Sequence, residues 1–153
     1  MANTQAMCTS FKVDLFNAVH AFNGTGVPAH TVATADTFKA ALYLASATIS
    51  AATTVYSATG EVSGSGYTAG GVAVTFGIAP SSTSTTAFIT PSASIVYSSV
   101  TLATAFDCVF IYNSTQSNKA VSVHTFSSQT IAAGTFTLTM PTNDSTNALL
   151  RLA

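Results

Sequence analysis

Phe11, Leu15, Phe16, Val19 and Phe22 recur at three- and four-residue spacing, the period of one apolar helix face. Thr9 or Ser10 stands where a cap is needed and Gly24 interrupts the pattern. One helix is therefore predicted from about residue 10 to residue 22. Residues 1–9 show no period and read as an N-terminal arm. Residues 23–35, with Gly24, Gly26 and Pro28, read as a connecting loop.

Beyond Asp36 the period becomes two. Residues 37–45 place Phe38, Ala40, Leu42 and Leu44 on one face and Lys39, Ala41 and Tyr43 on the other. That alternation marks a half-buried strand, although the alanines leave helix open. Residues 51–62 could hold a short helical turn, residues 63–71 are too rich in glycine for any regular element, and a strand follows at 72–78. The second half reads as short β segments at 87–89, 94–102, 106–112, 120–126, 136–140 and 148–152. Turns separate them: the cluster at 113–118, which signals a hairpin, then Ala133-Gly134, then residues 141–144. No repeat or linker divides residues 10–153. The expected fold is mainly β, an antiparallel β-sandwich or barrel-like domain with one short N-terminal helix.

Composition sharpens this picture. The 153 residues are 48% hydrophobic and only 6% charged, with a net charge of -1, while 26 Thr and 19 Ser supply the polar surface. A small domain usually keeps its neighbours apart with a net charge of about 2 to 8, so this surface is either prone to association or suited to permanent contacts, a weakly charged monomer being the alternative. Lys12, Lys39, Lys119 and Arg151 are scattered, which excludes a phosphate-binding patch and argues against nucleic acid. No apolar run reaches the roughly 18 residues of a membrane helix. The N-terminus lacks the pattern of a signal peptide, so the chain is expected in a cytoplasm. There Cys8 and Cys108, a hundred residues apart, are expected as free thiols. Three sequons, at Asn23, Asn113 and Asn143, are what a chain rich in Ser and Thr produces by chance.

Candidate chemistry is sparse. Gly64, Gly66, Gly70 and Gly71 could cradle a phosphate, but a strand is predicted after them where a helix is required, and no Gly-Lys-Ser/Thr follows. His20, His30 and His124 with Asp14, Asp36, Asp107 and Cys108 could supply a metal site or a triad, yet none shows short-range ligand spacing. Asp107 and Cys108, as strand neighbours, point to opposite faces. Cys108, beside Val109-Phe110-Ile111, reads as buried and inert, and His20 as a structural histidine. Tyr43, Tyr56, Tyr67, Tyr97 and Tyr112 could line a glycan-binding face, or pack half-buried with their hydroxyls at a rim. No catalytic, cofactor-binding or metal residue is assigned, and the chain is read as a non-enzyme.

The segment Asp36-Thr-Phe-Lys-Ala-Ala-Leu-Tyr-Leu44 and the stretch from Thr54-Val-Tyr-Ser-Ala-Thr-Gly-Glu61 to Ala69-Gly-Gly71 resemble a group of small virion proteins of tailed bacteriophages. Ser10-Phe-Lys-Val-Asp-Leu-Phe16 and the closing Ala148-Leu-Leu-Arg-Leu152 are similar to the same group. The resemblance covers most of the chain and is weakest at residues 80–86. It implies a structural component of the virion, assembled in the bacterial host cytoplasm, in the role of a capsid decoration (cement) protein that stabilises the head. The partners implied are the major capsid protein and neighbouring copies of the chain itself, with the arm or the glycine-rich loop reaching over an adjacent molecule. A neck, tail or fibre-base protein, or a receptor- or glycan-binding β-sandwich, is the alternative.

Overall fold

The computed structural model describes residues 2–16, 19, 20, 22 and 35–153. The loop expected at 23–35, and with it Gly24, Asn23 and His30, falls almost wholly outside the described residues. The elements, in chain order, are β1 (Ala6–Met7), α1 (Thr9–Phe16), β2 (Phe38–Leu44), β3 (Val72–Val74), β4 (Ser81–Thr83), β5 (Thr86–Ile89), β6 (Ile95–Asn113), β7 (Lys119–Leu138) and β8 (Leu150–Leu152). They form a five-stranded antiparallel sheet in the order β1-β7-β6-β2-β3 and a three-stranded sheet in the order β4-β5-β8. The result is a mainly β, sandwich-like fold that does not close into a barrel.

The largest departure from the sequence reading is the hairpin. Segments expected as four short strands are two long ones, β6 and β7, of 19 and 20 residues. Gly134, expected in a turn, lies within β7 opposite Val100. The hairpin nevertheless doubles back. Gln129 pairs with Phe106, so Phe136, seven positions further along, would lie about 23 Å away on a straight ladder. The rings of Phe106 and Phe136 are instead 5.1 Å apart at 90°. Register shifts between Tyr97 and Cys108 take up the bend, as bulges do in strongly coiled sheets.

One bulge can be followed in the burial pattern. Ile95 and Tyr97 are buried, Ser98 and Ser99 exposed, then Val100 and Leu102 buried again. The extra residue, Ser99 with φ of 55°, shifts the phase by one and keeps the apolar side chains on the inner face. From Cys108 to Asn113 every residue is buried, because that half of β6 is covered on both faces. The same holds for β2. Ala41 and Tyr43, expected on an outer face, are as buried as Ala40 and Leu42.

Near the N-terminus, helix α1 is shorter than its apolar period predicted. The Cys8 carbonyl accepts the Lys12 N–H at 3.4 Å, which puts Cys8, not Thr9 or Ser10, at the cap position, and a Val19 N–H to Asp14 carbonyl bond of 3.0 Å closes the other end. Phe22 then stacks on Phe38 at 4.6 Å and meets Phe76 edge-on at 4.8 Å. Phe22 thus serves an aromatic cluster instead of a helix face. The arm is laid against the fold: the Thr4 N–H donates to Ile49 and the Cys8 N–H to Val121. Asn3 donates to the Leu44 carbonyl and the Asp107 carboxylate, and accepts from the Ile49 N–H.

Residues 51–62 contain turns and no helix. The strand expected at 72–78 stops at Val74. Strand β4, Ser-Ser-Thr with every residue exposed, has no apolar alternation to mark it in the sequence. It pairs with β5 across a tight turn in which Ser84 takes φ of 54°.

The glycine-rich segment is irregular, as expected, and it closes the open edge of β2. Val62 donates to the Leu42 carbonyl and Leu44 to the Gly60 carbonyl. Gly71 sits at φ +74°, where a Cβ would lie 1.7 Å from the Ala40 carbonyl oxygen. No side chain fits there, so Gly71→Ala is expected to lower unfolding free energy by more than about 3 kcal/mol. Urea denaturation checks this, and a loss under about 1 kcal/mol would show that the loop does not approach β2 this closely.

Candidate functional site

Three groupings of polar side chains stand out, and each is built from strands that the hairpin brings together. The first surrounds Glu61, which stands between Gly60 and Val62 in the sequence. The bridge between Tyr43 and Glu61 seats it beside β2. Its carboxylate accepts from the Tyr56 hydroxyl at 2.6 Å, the Tyr67 hydroxyl at 2.7 Å and the Gly70 N–H at 2.8 Å. The Tyr112 hydroxyl donates to the Gly70 carbonyl and the Tyr97 hydroxyl to the Ala40 carbonyl. Tyr43 donates to the Ser57 carbonyl. The rings stack in pairs, Tyr56 on Tyr112 at 4.7 Å and Tyr67 on Tyr97 at 5.9 Å.

All five tyrosines therefore point their hydroxyls at their own chain. Burial raises the pKa of each above that of a free phenol, and Glu61 beside them adds to the effect. This cluster is a clamp that holds the glycine-rich loop to the sheet. It leaves few hydroxyls for a glycan.

The second grouping lies under the turn that joins β6 to β7. Asn113, fully buried, uses every polar atom: its Nδ2 donates to Asp36 at 2.7 Å and meets His20 Nδ1 at 3.0 Å, while its Oδ1 accepts from the N–H groups of Thr115 and Gln116. Since Asn113 donates to His20 Nδ1, the proton of the neutral ring resides on Nε2. That nitrogen lies 3.6 Å from Asp14, beyond hydrogen-bond reach, and has no other partner among the described residues. Lys119 holds Asp14 through both carboxylate oxygens at 2.9 and 3.0 Å. Desolvation lowers the His20 pKa against the opposing pull of Asp14 and Asp36. Of the candidate ligands, Asp14 lies beside His20, whereas Asp36 is joined to it through Asn113. Asn113 and Lys119 bind them into a hydrogen-bonded scaffold at the start of β7.

The third is a cleft of about 630 Å³ between β1 and the C-terminal segment, lined among others by Gln5, Ser122, His124, Asn147, Leu149 and Arg151. Ser122 and His124 share one face of β7, and Ser122 Oγ lies 2.9 Å from His124 Nε2. A serine beside a neutral histidine has the elements of an activated nucleophile. Ser122 is only 1% exposed, however, so the pair lacks the access that a nucleophile needs. Burial lowers the His124 pKa to about 4.

The remaining nominated residues are dispersed. Asp107 is bonded by Asn3. Cys108 is buried and free, with burial, and Asp107 beside it, pushing its thiol up to about 12. Cys8 is likewise buried, its thiol raised to about 11. Among the described residues no three His, Cys, Asp or Glu side chains converge as metal ligands, and no helix is long and apolar enough to cross a membrane.

Two outcomes follow. Glu61→Ala removes an acceptor of three hydrogen bonds, and hydrogen bonds to charged groups contribute about 1.5–3 kcal/mol each. With partial replacement by water, the variant is expected to lose about 3 kcal/mol by urea denaturation and Glu61→Gln less. For His124 the folded pKa of about 4 lies below the ordinary 6.5. Between these values the unfolded chain binds a proton that the folded one does not, so stability is full above pH about 6.5 and falls as pH drops toward about 4. The loss is about 2–3 kcal/mol, and His20 adds to it in the same direction. His124→Gln should flatten part of that slope, and an unchanged slope would mean the ring is hydrated. No protein-family model, no curated protein and no solved structure matches this chain, so these assignments stand on geometry alone.

Proposed function

We propose that this protein is a structural component of a tailed bacteriophage particle: a decoration protein that stabilises the head by contacting major capsid subunits and neighbouring copies of itself. The observation that carries the reading is the state of the surface. Residues 62–106 and 120–143 contain no Asp, Glu, Lys or Arg, and the outer half of β7 within them is largely exposed hydroxyl and alanine. Such a surface suits contacts that form once and persist. The resemblance to small phage virion proteins supplies the setting.

The arm and the glycine-rich loop, nominated to reach over a neighbour, are bonded within the chain at Asn3, Thr4, Val62 and Glu61. Among the described residues, the hairpin is then the surface offered for intersubunit contact. Receptor or glycan binding loses its tyrosine face to the Glu61 clamp, and a neck or tail position remains the alternative within the particle.

Deleting the gene tests this. Heads should assemble in near-normal number and release their genome at a lower temperature, and purified wild-type particles should carry hundreds of copies, since weak contacts add over a shell. Stable full heads without tails would transfer the role to the neck or tail. Complete particles that fail to adsorb would make it a receptor-binding protein.

A further inference from the structure

The outer edge of β7 is a long strand edge left open among the described residues. β1 covers it only at Ser122 and Val123, and no other described strand pairs with that side as far as Leu138. Natural sheets guard such an edge with lysine, proline or a covering segment. Residues 127–138 contain no charged residue and no proline, and Ser128, Thr130, Ala133 and Thr135 are exposed.

We propose that this edge pairs antiparallel with the same edge of a second copy, so that two hairpins form one continuous sheet about a two-fold axis. Charge selects the occupant. A partner recognised by charge finds nothing to bind, because neither residues 125–138 nor residues 95–105 of the paired strand hold a charged side chain. An identical copy meets no like-charge repulsion and brings serine and threonine opposite serine and threonine, a favourable cross-strand pairing. Symmetry agrees with charge. An edge set antiparallel to itself is self-complementary in its N–H and C=O groups. A two-fold axis normal to the sheet also carries one bent strand onto another bent the same way.

Twelve residues rising about 3.3 Å each, across a sheet about 10 Å thick, give roughly 400 Å² per copy. That lies at the low end for specific association, so dimerisation near micromolar concentration is expected. The inference rests on the particle reading only for its biological setting, in which many copies reinforce one another.

Sedimentation of the full chain from about 1 to about 100 μM should show a monomer passing to a dimer. Ala133→Lys and Thr135→Lys should each leave a monomer with unchanged circular dichroism and thermal unfolding. Single cysteines placed in turn at residues 127–137 locate the contact, because Cys8 and Cys108 are buried and slow to react. Disulfides between equal positions should form at one site or two adjacent sites. Mixed variants should cross-link at positions displaced equally to either side.

A wild-type chain that stays monomeric at the highest concentration overturns the inference. So does a dimer indifferent to both lysines, or equal-position cross-linking along the whole segment, which is the mark of a parallel stack. A monomer in solution with hundreds of copies per particle would sink the dimer and spare the particle reading. A dimer absent from purified particles would do the reverse.

Discussion

Two strands of 19 and 20 residues cannot bury an apolar face by lying flat, and everything else in the molecule depends on how they avoid doing so. Extended, the β6–β7 hairpin would be about 60 Å long, far beyond a core of this size. Folding it over brings Phe106, Phe126 and Phe136 together, with ring centroids between 5.1 and 5.9 Å apart, and makes one hairpin supply both layers. The bulges are therefore structural requirements. Ser99, at positive φ, is where the backbone leaves its regular pleat, and Gly64 and Gly66 let the loop approach the Thr101 and Ser99 carbonyls, where a Cβ would come within 2.0 and 2.1 Å.

The few charges serve this architecture more than they serve the surface. Glu61 gathers two tyrosines and the Gly70 N–H, Lys119 pins α1 to the start of β7 through Asp14, and Asp36 takes the side chains of Asn113 and Gln116. Asp107 ties down Asn3, and Asp144 organises the turn before β8. Each joins segments distant in sequence or fixes a turn. Breaking one of the buried ones, such as the Asp36 bond to Asn113, leaves a desolvated polar group behind, which costs more than the hydrogen bond contributes when made. Such a distribution leaves residues 62–106 and 120–143 without any formal charge.

A surface of that kind has little to keep molecules apart. For a free-standing monomer this is a hazard, since neutral open strand edges template association. For a component of a closed assembly it is an economical design, because contacts need only be complementary and numerous. The clamped loop and the docked arm fit the same logic: these two segments are held in place before any partner binds.

Much of this was legible in the sequence. The period of two, the Thr-rich segments and the turn cluster at 113–118 determined a mainly β fold with one helix near the N-terminus. β2 was recognisable to within a residue, because Phe38, Ala40 and Leu42 alternate regardless of context. Burial near 108–112 followed from the run of apolar residues. Tertiary structure alone decided the rest. Local pattern cannot say that two apparent strands are one bent strand, since a bulge such as Ser98-Ser99 looks in sequence like a break. β4 has no apolar residue to reveal it, and Phe22, spaced as part of a helix face, instead packs on Phe38 and Phe76, partners up to 54 positions away in the chain. Glu61 was one acid among five until folding placed Tyr56, Tyr67 and Gly70 around it. A hydrogen-bond network depends on side chains meeting in space, and chain order does not encode that meeting.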